Sequence, residues 1–411
     1  MVYKLTGPDL ISTSIKLPAS KSISNRSLII HALNKGMNVL SNLSDCDDTE
    51  VIIRALKDMP EMIDIHASGT AMRFLTAYLS LVPGTHIITG TERMKHRPIK
   101  ILVDALRTLG ANIEYEGEEG FPPLRITGRD GSEWNGVIEL PGNVSSQYIS
   151  ALLMIGPYLK EGLNIKLLGD IVSKPYINLT LDLMNKFGGK AEWVGETLLT
   201  VKPKPYKDIP FTVESDWSAA SYWYEMIALS RSADSKIKLK GLFKNSSQGD
   251  SEVACIFNQL GVQTEFTDDG VVIKKREVKP PYFEYNFVNQ PDLAQTFVVT
   301  CAMMNIPFCF NGLQSLKIKE TDRLTALVTE LRKLGISAVQ DFESVITWKG
   351  EHIEPSMTPI NTYEDHRMAM AFAPASLAMK GIRIDNPEVV SKSYPLYWED
   401  LKQAGFNIEE H

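Results

Sequence analysis

One short pattern recurs along this chain and limits what it can fold into: the end of an amphipathic helix, a glycine, then an apolar β-like run. The copies are LRTLGANIEY (Gly110), LMNKFGGKAEW (Gly188), IFNQLGVQTEF (Gly261), LRKLGISAVQ (Gly335) and LKQAGFNIEE (Gly405). Glycine is the expected residue just after a helix, because it takes the left-handed conformation without a Cβ penalty. One such ending means little. Five of them, 78, 73, 74 and 70 residues apart, predict an internal repeat. At that spacing, 411 residues hold close to six units. The sixth copy is VIIRALKDMPEMIDI (51–65), where Met59-Pro60 replaces Leu-Gly. Gly110 follows too soon after it, so the first unit is expected to be shortened by roughly 20–25 residues.

Each unit has room for two helices and several strands. Helices such as ILVDALRTLG and LTALVTELRKLG place apolar residues at i, i+3, i+4 and i+7. Six units exceed one core, so two lobes of three are expected, with a ligand in the cleft between them.

The composition is 44% hydrophobic and 23% charged, which fits a soluble globular protein and excludes a disordered or collagen-like chain. A net charge of −7 argues against nonspecific nucleic-acid binding. The four cysteines, Cys46, Cys255, Cys301 and Cys309, form no CxxC and are read as free buried thiols of a reducing compartment. The start MVYKLTGPDLISTSIKLP has no apolar signal region, and no apolar run is long enough to span a membrane, so a cytoplasmic location is expected.

Within this acidic chain, cations gather at the starts of helices. LPASKSISNRSLIIHAL (17–33) sets Lys21 and Arg26 among small polar residues, with Ser20 or Ser22 as a cap. Such a helix start binds anions through free N–H groups and the positive dipole end. SGTAMR (68–73) is a similar turn. In GTERMKHRPIKILVDAL (90–106), Arg93, Lys95, His96 and Arg97 crowd a helix start with Pro98 at N1. PGNVSSQYISALL offers Ser145, Ser146 and Gln147, and VSKPYINLT offers Ser173, Lys174 and Tyr176. LKIKETDRLTALVTELRKLG brings Lys319, Glu320 and Arg323 within about one helical turn. TYEDHRMAMAFA carries Asp365, His366 and Arg367; VNQPDLAQT carries Asp292; VVSKSYP carries Lys392. Each segment alone reads equally well as ordinary capping or solvated charge. Together they predict a site for small, multiply charged anions, with Asp292 and Glu320 as proton carriers.

LPASKSISNR, SGTAMR, ERMKHRP, SSQ, SKPY, NSSQGD, KETDRL, DHRMAM and SKSYP, in this order, resemble the 5-enolpyruvylshikimate-3-phosphate synthase family nearly end to end. The resemblance implies a two-domain inside-out α/β barrel of six βαβαββ repeats, three per domain. It implies domain I over 1–17 and 217–411, domain II over 18–216, and an interdomain active site. It implies transfer of the enolpyruvyl group of phosphoenolpyruvate to the 5-hydroxyl of shikimate 3-phosphate, through a tetrahedral ketal and with no cofactor or metal. Shikimate 3-phosphate would be held by Lys21, Ser22, Arg26, Ser145, Ser146, Gln147, Ser173, Tyr176, Asp292 and Lys319. Phosphoenolpyruvate would be held by Lys21, Gly69, Arg97, Gln147, Arg323, Arg367 and Lys392. Asp292, Glu320 and Lys21 would be catalytic. A monomer is expected, with no nucleic-acid or membrane partner.

Two positions depart from the family pattern: Ala67-Ser68 stand where the family has Asn-Ala before Gly-Thr, and Ser315 replaces an Asn. The rival readings are a UDP-N-acetylglucosamine enolpyruvyl transferase and a noncatalytic anion-binding protein on the same fold. The first normally has a Cys or Asp in the loop that reads TERMKHRP here.

Overall fold

A computed structural model describes residues 1–134, 136–342 and 344–411. The chain divides into two compact units, one of Met1–Pro18 with Glu214–His411 and the other of Ala19–Val213. Each has its own apolar core.

The repeat is visible as one sheet pattern. In the first unit, Ser12–Lys16 pairs in parallel with Lys236–Lys240, which pairs antiparallel with Gly270–Lys275, and that strand with Val262–Thr267. Phe283–Asn286, Phe308–Asn311, Val345–Trp348 and Val339–Asp341 follow the same order and directions. In the other unit so do Met62–Asp64, Gly84–Thr89, Leu124–Gly128 and Asn112–Tyr115, and then Val137–Pro141, Leu163–Leu168, Leu198–Val201 and Ala191–Val194. A further copy joins both ends of the chain: Ile382–Asp385 pairs with Val2–Thr6, which pairs with Asn407–Glu410, and Ile360 bridges to Ile384 in parallel.

The five repeat glycines all have positive φ, between 82° and 128°. That is the physical content of the recurring LxxLG. The sixth copy is the short one. Phe211–Thr212 pairs in parallel with Leu40–Ser41. The helix Asp47–Asp58 then passes through Met59, at φ 42°, directly to Met62–Asp64, the first strand of the next sheet. The missing residues are therefore the antiparallel hairpin, and Met59 takes the left-handed conformation that glycine takes elsewhere.

Two local expectations need correction. The cysteines are free, but only Cys46 and Cys301 are buried. Cys255 is exposed and Cys309 half-buried, because composition does not say which face of an element a residue occupies. Pro98 is not N1 of the following helix, which runs Lys100–Leu109. Arg93 and Lys95 instead lie on a separate short helix, Glu92–Lys95, capped by Thr91. Arg93 and Lys95 thus lie in the last turn of that short helix, where cations suit the dipole.

Candidate active site

In the unit Ala19–Val213, polar helix starts carry the expected residues. Ser20, Ser68 and Ser145 cap the helices Lys21–Leu33, Gly69–Leu81 and Ser146–Ile155 by accepting from Ile23, Ala71 and Gln147 backbone N–H groups. None of these helices has an acid in its first turn. Neutral caps leave the positive dipole end available to an anion. Lys21 pairs with Asp48 at 3.3 Å.

Arg26, 3% exposed, anchors the helices to one another. Its Nε donates to Thr180 Oγ1 at 2.7 Å, Nη2 to Ser150 Oγ at 3.1 Å and Nη1 to the Ser22 carbonyl at 2.9 Å, and its guanidinium lies over Phe74. Burial lowers its pKa to about 10. Gln147 Nε2 donates to Thr70 Oγ1 at 3.1 Å, and Val172 N–H to the Gly142 carbonyl at 3.2 Å, so the helices Gly69–Leu81, Ser146–Ile155 and Lys174–Lys186 begin side by side. Ser146 is buried, as is Ser173, which sits in the left-handed region at φ 54°. Tyr176, half-buried, receives Thr180 Oγ1 on its carbonyl. Gly69 lies against two guanidiniums. A Cβ built there would meet Arg73 Nη1 and stand 2.6 and 2.8 Å from Arg97 Nη1 and Nη2.

The other unit gathers charges of both signs. Arg323, 1% exposed, is the hub. Its Nε donates to Asp365 Oδ2 at 2.6 Å and its Nη2 to Asp365 Oδ1 at 3.3 Å. Nη2 also donates to Glu320 at 2.9 Å and Nη1 to Asp292 at 3.2 Å. Arg367 reaches the other Asp292 oxygen at 3.2 Å, and Lys319 approaches Asp292 at 3.5 Å. Asp292, Lys319, Glu320, Arg323 and Arg367 therefore form one connected cluster. Glu320 and Lys319 precede the helix Arg323–Lys333, whose cap is Asp322.

Arg323 is held above its usual pKa by Asp365, Glu320 and Asp292, against the opposing effect of burial. Burial lowers the pKa of Lys319, with Asp292 opposing. Lys392 Nζ donates to the Glu364 carbonyl at 2.8 Å. That contact holds a turn in which Tyr363 and Glu364 are both left-handed, at φ 55° and 56°, immediately before the cap Asp365.

Some of the supporting residues were not singled out by motif reading. Tyr222 lies within 3.4 Å of Arg367, with its hydroxyl pushed up to about 12 by burial. Asp250 accepts from Ser218 Oγ, and its carboxyl is pushed up to about 7 by burial and then by the charge of Asp292. Asp250 ends the NSSQGD segment, so the motif was visible, but its burial was not. Among the described residues, no group of three or more His, Cys, Asp or Glu side chains is placed to hold a metal ion. No helix among them is long and apolar enough to cross a membrane.

A family model described as EPSP synthase (3-phosphoshikimate 1-carboxyvinyltransferase) matches residues 5–63 and 58–401. A 3-phosphoshikimate 1-carboxyvinyltransferase of Bacteroides fragilis (strain YCH46) is 62% identical over 412 residues, covering 100% of this chain and 99% of that protein. One of Vibrio cholerae (serotype O1, strain M66-2) is 36% identical, covering 96% and 97%. Among solved structures, an EPSP synthase of Acinetobacter baumannii aligns over 100% of both chains with a TM-score of 0.78 at 22% identity. That likeness is one of fold, the two-domain inside-out α/β fold. The repeat pattern, the ordered motifs and the full-length matches agree: the chain belongs to the EPSP synthase (3-phosphoshikimate 1-carboxyvinyltransferase) family.

Proposed function

We propose that the charged groups of both units serve the activity of this family: transfer of the enolpyruvyl group of phosphoenolpyruvate to shikimate 3-phosphate, a step of aromatic amino-acid biosynthesis. The observation that carries the assignment of roles is the cluster of Asp292, Glu320, Lys319, Arg323 and Arg367. Two polyanions repel as they approach bonding distance, so the chemistry requires fixed cations. It also requires groups that move protons, and a pure anion binder gains nothing from carboxylates among those cations. Full-length identity to carboxyvinyltransferases acting on 3-phosphoshikimate favours that acceptor over UDP-N-acetylglucosamine.

In this reading the uncharged caps Ser145 and Ser146, with Ser22 and Ser173, receive shikimate 3-phosphate, together with Lys21, Arg26, Gln147, Tyr176 and Lys319. Phosphoenolpyruvate lies on Gly69, Arg97, Arg323, Arg367 and Lys392, touching Lys21 and Gln147. Asp292, held by Arg323 and Arg367, takes the proton from the 5-hydroxyl. Glu320 delivers a proton to the methylene carbon as the 5-oxygen bonds to C2, and the resulting tetrahedral ketal loses phosphate together with a methyl proton, which returns to a carboxylate and restores the carbon–carbon double bond. The active form is a monomer in the cytoplasm that binds two small anions.

Phosphate release with both substrates present tests the roles. Asp292→Asn and Glu320→Gln are each expected to lower kcat by about 10²–10⁴-fold. Retention of parental kcat in both variants refutes the assignment of proton carriers.

A further inference from the structure

Three separate segments, those of Gly69, Arg97 and Gln147, must hold one geometry if they are to share a small anion. The structure shows what ties them. Arg73, one turn into its helix and 7% exposed, folds back so that Nη1 donates to the Gly69 carbonyl at 2.6 Å. Its guanidinium then lies over the ring of Tyr148, 5.4 Å from the centroid, and its buried Nε has no acceptor among the described residues. Tyr148, 6% exposed, follows Gln147 directly, and its hydroxyl donates to the Pro98 carbonyl at 2.6 Å. Pro98 follows Arg97. One aromatic side chain therefore touches the cation that grips Gly69, belongs to the helix turn that carries Gln147, and tethers the turn that carries Arg97.

Backbone bonds also hold that turn, Arg97 N–H to the Met94 carbonyl at 3.0 Å and Ile99 N–H to the Gly120 carbonyl at 2.9 Å. Neither reaches the helices Gly69–Leu81 or Ser146–Ile155. The convergence of the Arg73 and Arg97 guanidiniums on Gly69 sets two like charges a few ångströms apart. Like charges held this close repel, and an anion between them relieves that repulsion.

We propose that Tyr148 is a positioning residue for phosphoenolpyruvate, its hydroxyl locking the Arg97 turn in register with Gly69 and Gln147 while its ring seats Arg73. The inference rests on the reading that Gly69, Arg97 and Gln147 hold this substrate. Tyr148 touches no reacting atom; it acts through Arg97. Loss of the hydroxyl therefore weakens binding of one substrate and leaves the chemical step and the other substrate alone.

The test is steady-state kinetics on Tyr148→Phe, Arg97→Gln and the double variant, each substrate being varied with the other saturating. Phe keeps the ring beneath Arg73 and removes only the bond to Pro98. Tyr148→Phe is expected to raise KM for phosphoenolpyruvate about five- to tenfold, the worth of one hydrogen bond, with kcat and KM for shikimate 3-phosphate within about twofold of the parent. In the Arg97→Gln background the same change is expected to add little, because the tether then positions nothing. An unchanged KM in Tyr148→Phe beside a raised one in Arg97→Gln overturns the inference and leaves the functional reading standing. So does a full, additive effect in the double variant, which marks a merely structural role. An unchanged KM in Arg97→Gln overturns the reading, and the inference with it.

Discussion

Removing Arg323 while leaving its partners is the sharpest perturbation the structure offers. The side chain is buried, and three carboxylates, Asp292, Glu320 and Asp365, lie within 3.2 Å of its nitrogens. Arg323→Met keeps most of the packing volume but removes the guanidinium that all three share. Breaking a buried ion pair from one side costs about 3–5 kcal/mol, because the partner keeps its charge and loses its compensation. Arg367 and Lys319 still face Asp292, so the loss falls mainly on Asp365, which is fully buried.

Arg323→Lys keeps the charge but cannot present a planar fork to Asp365 and a third bond to Glu320. Its expected cost is about 1.5–3 kcal/mol. Urea unfolding followed by tryptophan fluorescence suits the question, since four of the six tryptophans, Trp217, Trp223, Trp348 and Trp398, lie in the same unit as Arg323. With a slope of about 2–3 kcal/mol per M, the midpoint of Arg323→Met is expected to fall by about 1–2.5 M at pH 8. A midpoint within about 0.3 M of the parent refutes the argument that Arg323 neutralises the cluster.

Two further outcomes follow from other parts of the site. Asp250, with a folded pKa of about 7, holds its proton more tightly than an unfolded aspartate, so it costs the parent increasing stability as pH rises from the ordinary carboxylate range to about 7. Asp250→Asn should remove that slope, gaining on the parent over that window in urea midpoints; parallel curves would contradict it. Gly69→Ala drives a Cβ onto Arg73 and Arg97, and a displacement worth about 1.4 kcal/mol raises KM for phosphoenolpyruvate tenfold. Kinetics showing a larger effect on shikimate 3-phosphate would place Gly69 on the other ligand.

Much of the fold was legible because its causes are local. A glycine that ends a helix does so through its own φ, so the five LxxLG copies could be counted, and the misfit at Met59-Pro60 marked the repeat that lacks its hairpin. Helix starts were legible for the same reason, as Ser20, Ser68 and Ser145 bond within three residues of themselves. Reading failed where orientation mattered. Arg93 and Lys95 were assigned to the wrong helix because a four-residue helix, Glu92–Lys95, has too little periodicity to announce itself.

The sequence alone determined the number of repeats, the positions of the helix starts and the stock of charges placed there, since each depends on neighbours in the chain. Only the tertiary structure decided which of those charges meet. Arg323 finds Asp365 across 42 residues, Tyr148 finds Pro98 across 50 and Arg26 finds Thr180 across 154. The strength of a charge or a hydrogen bond depends on distance and on exclusion of water, and both are set by how elements remote in the chain pack together.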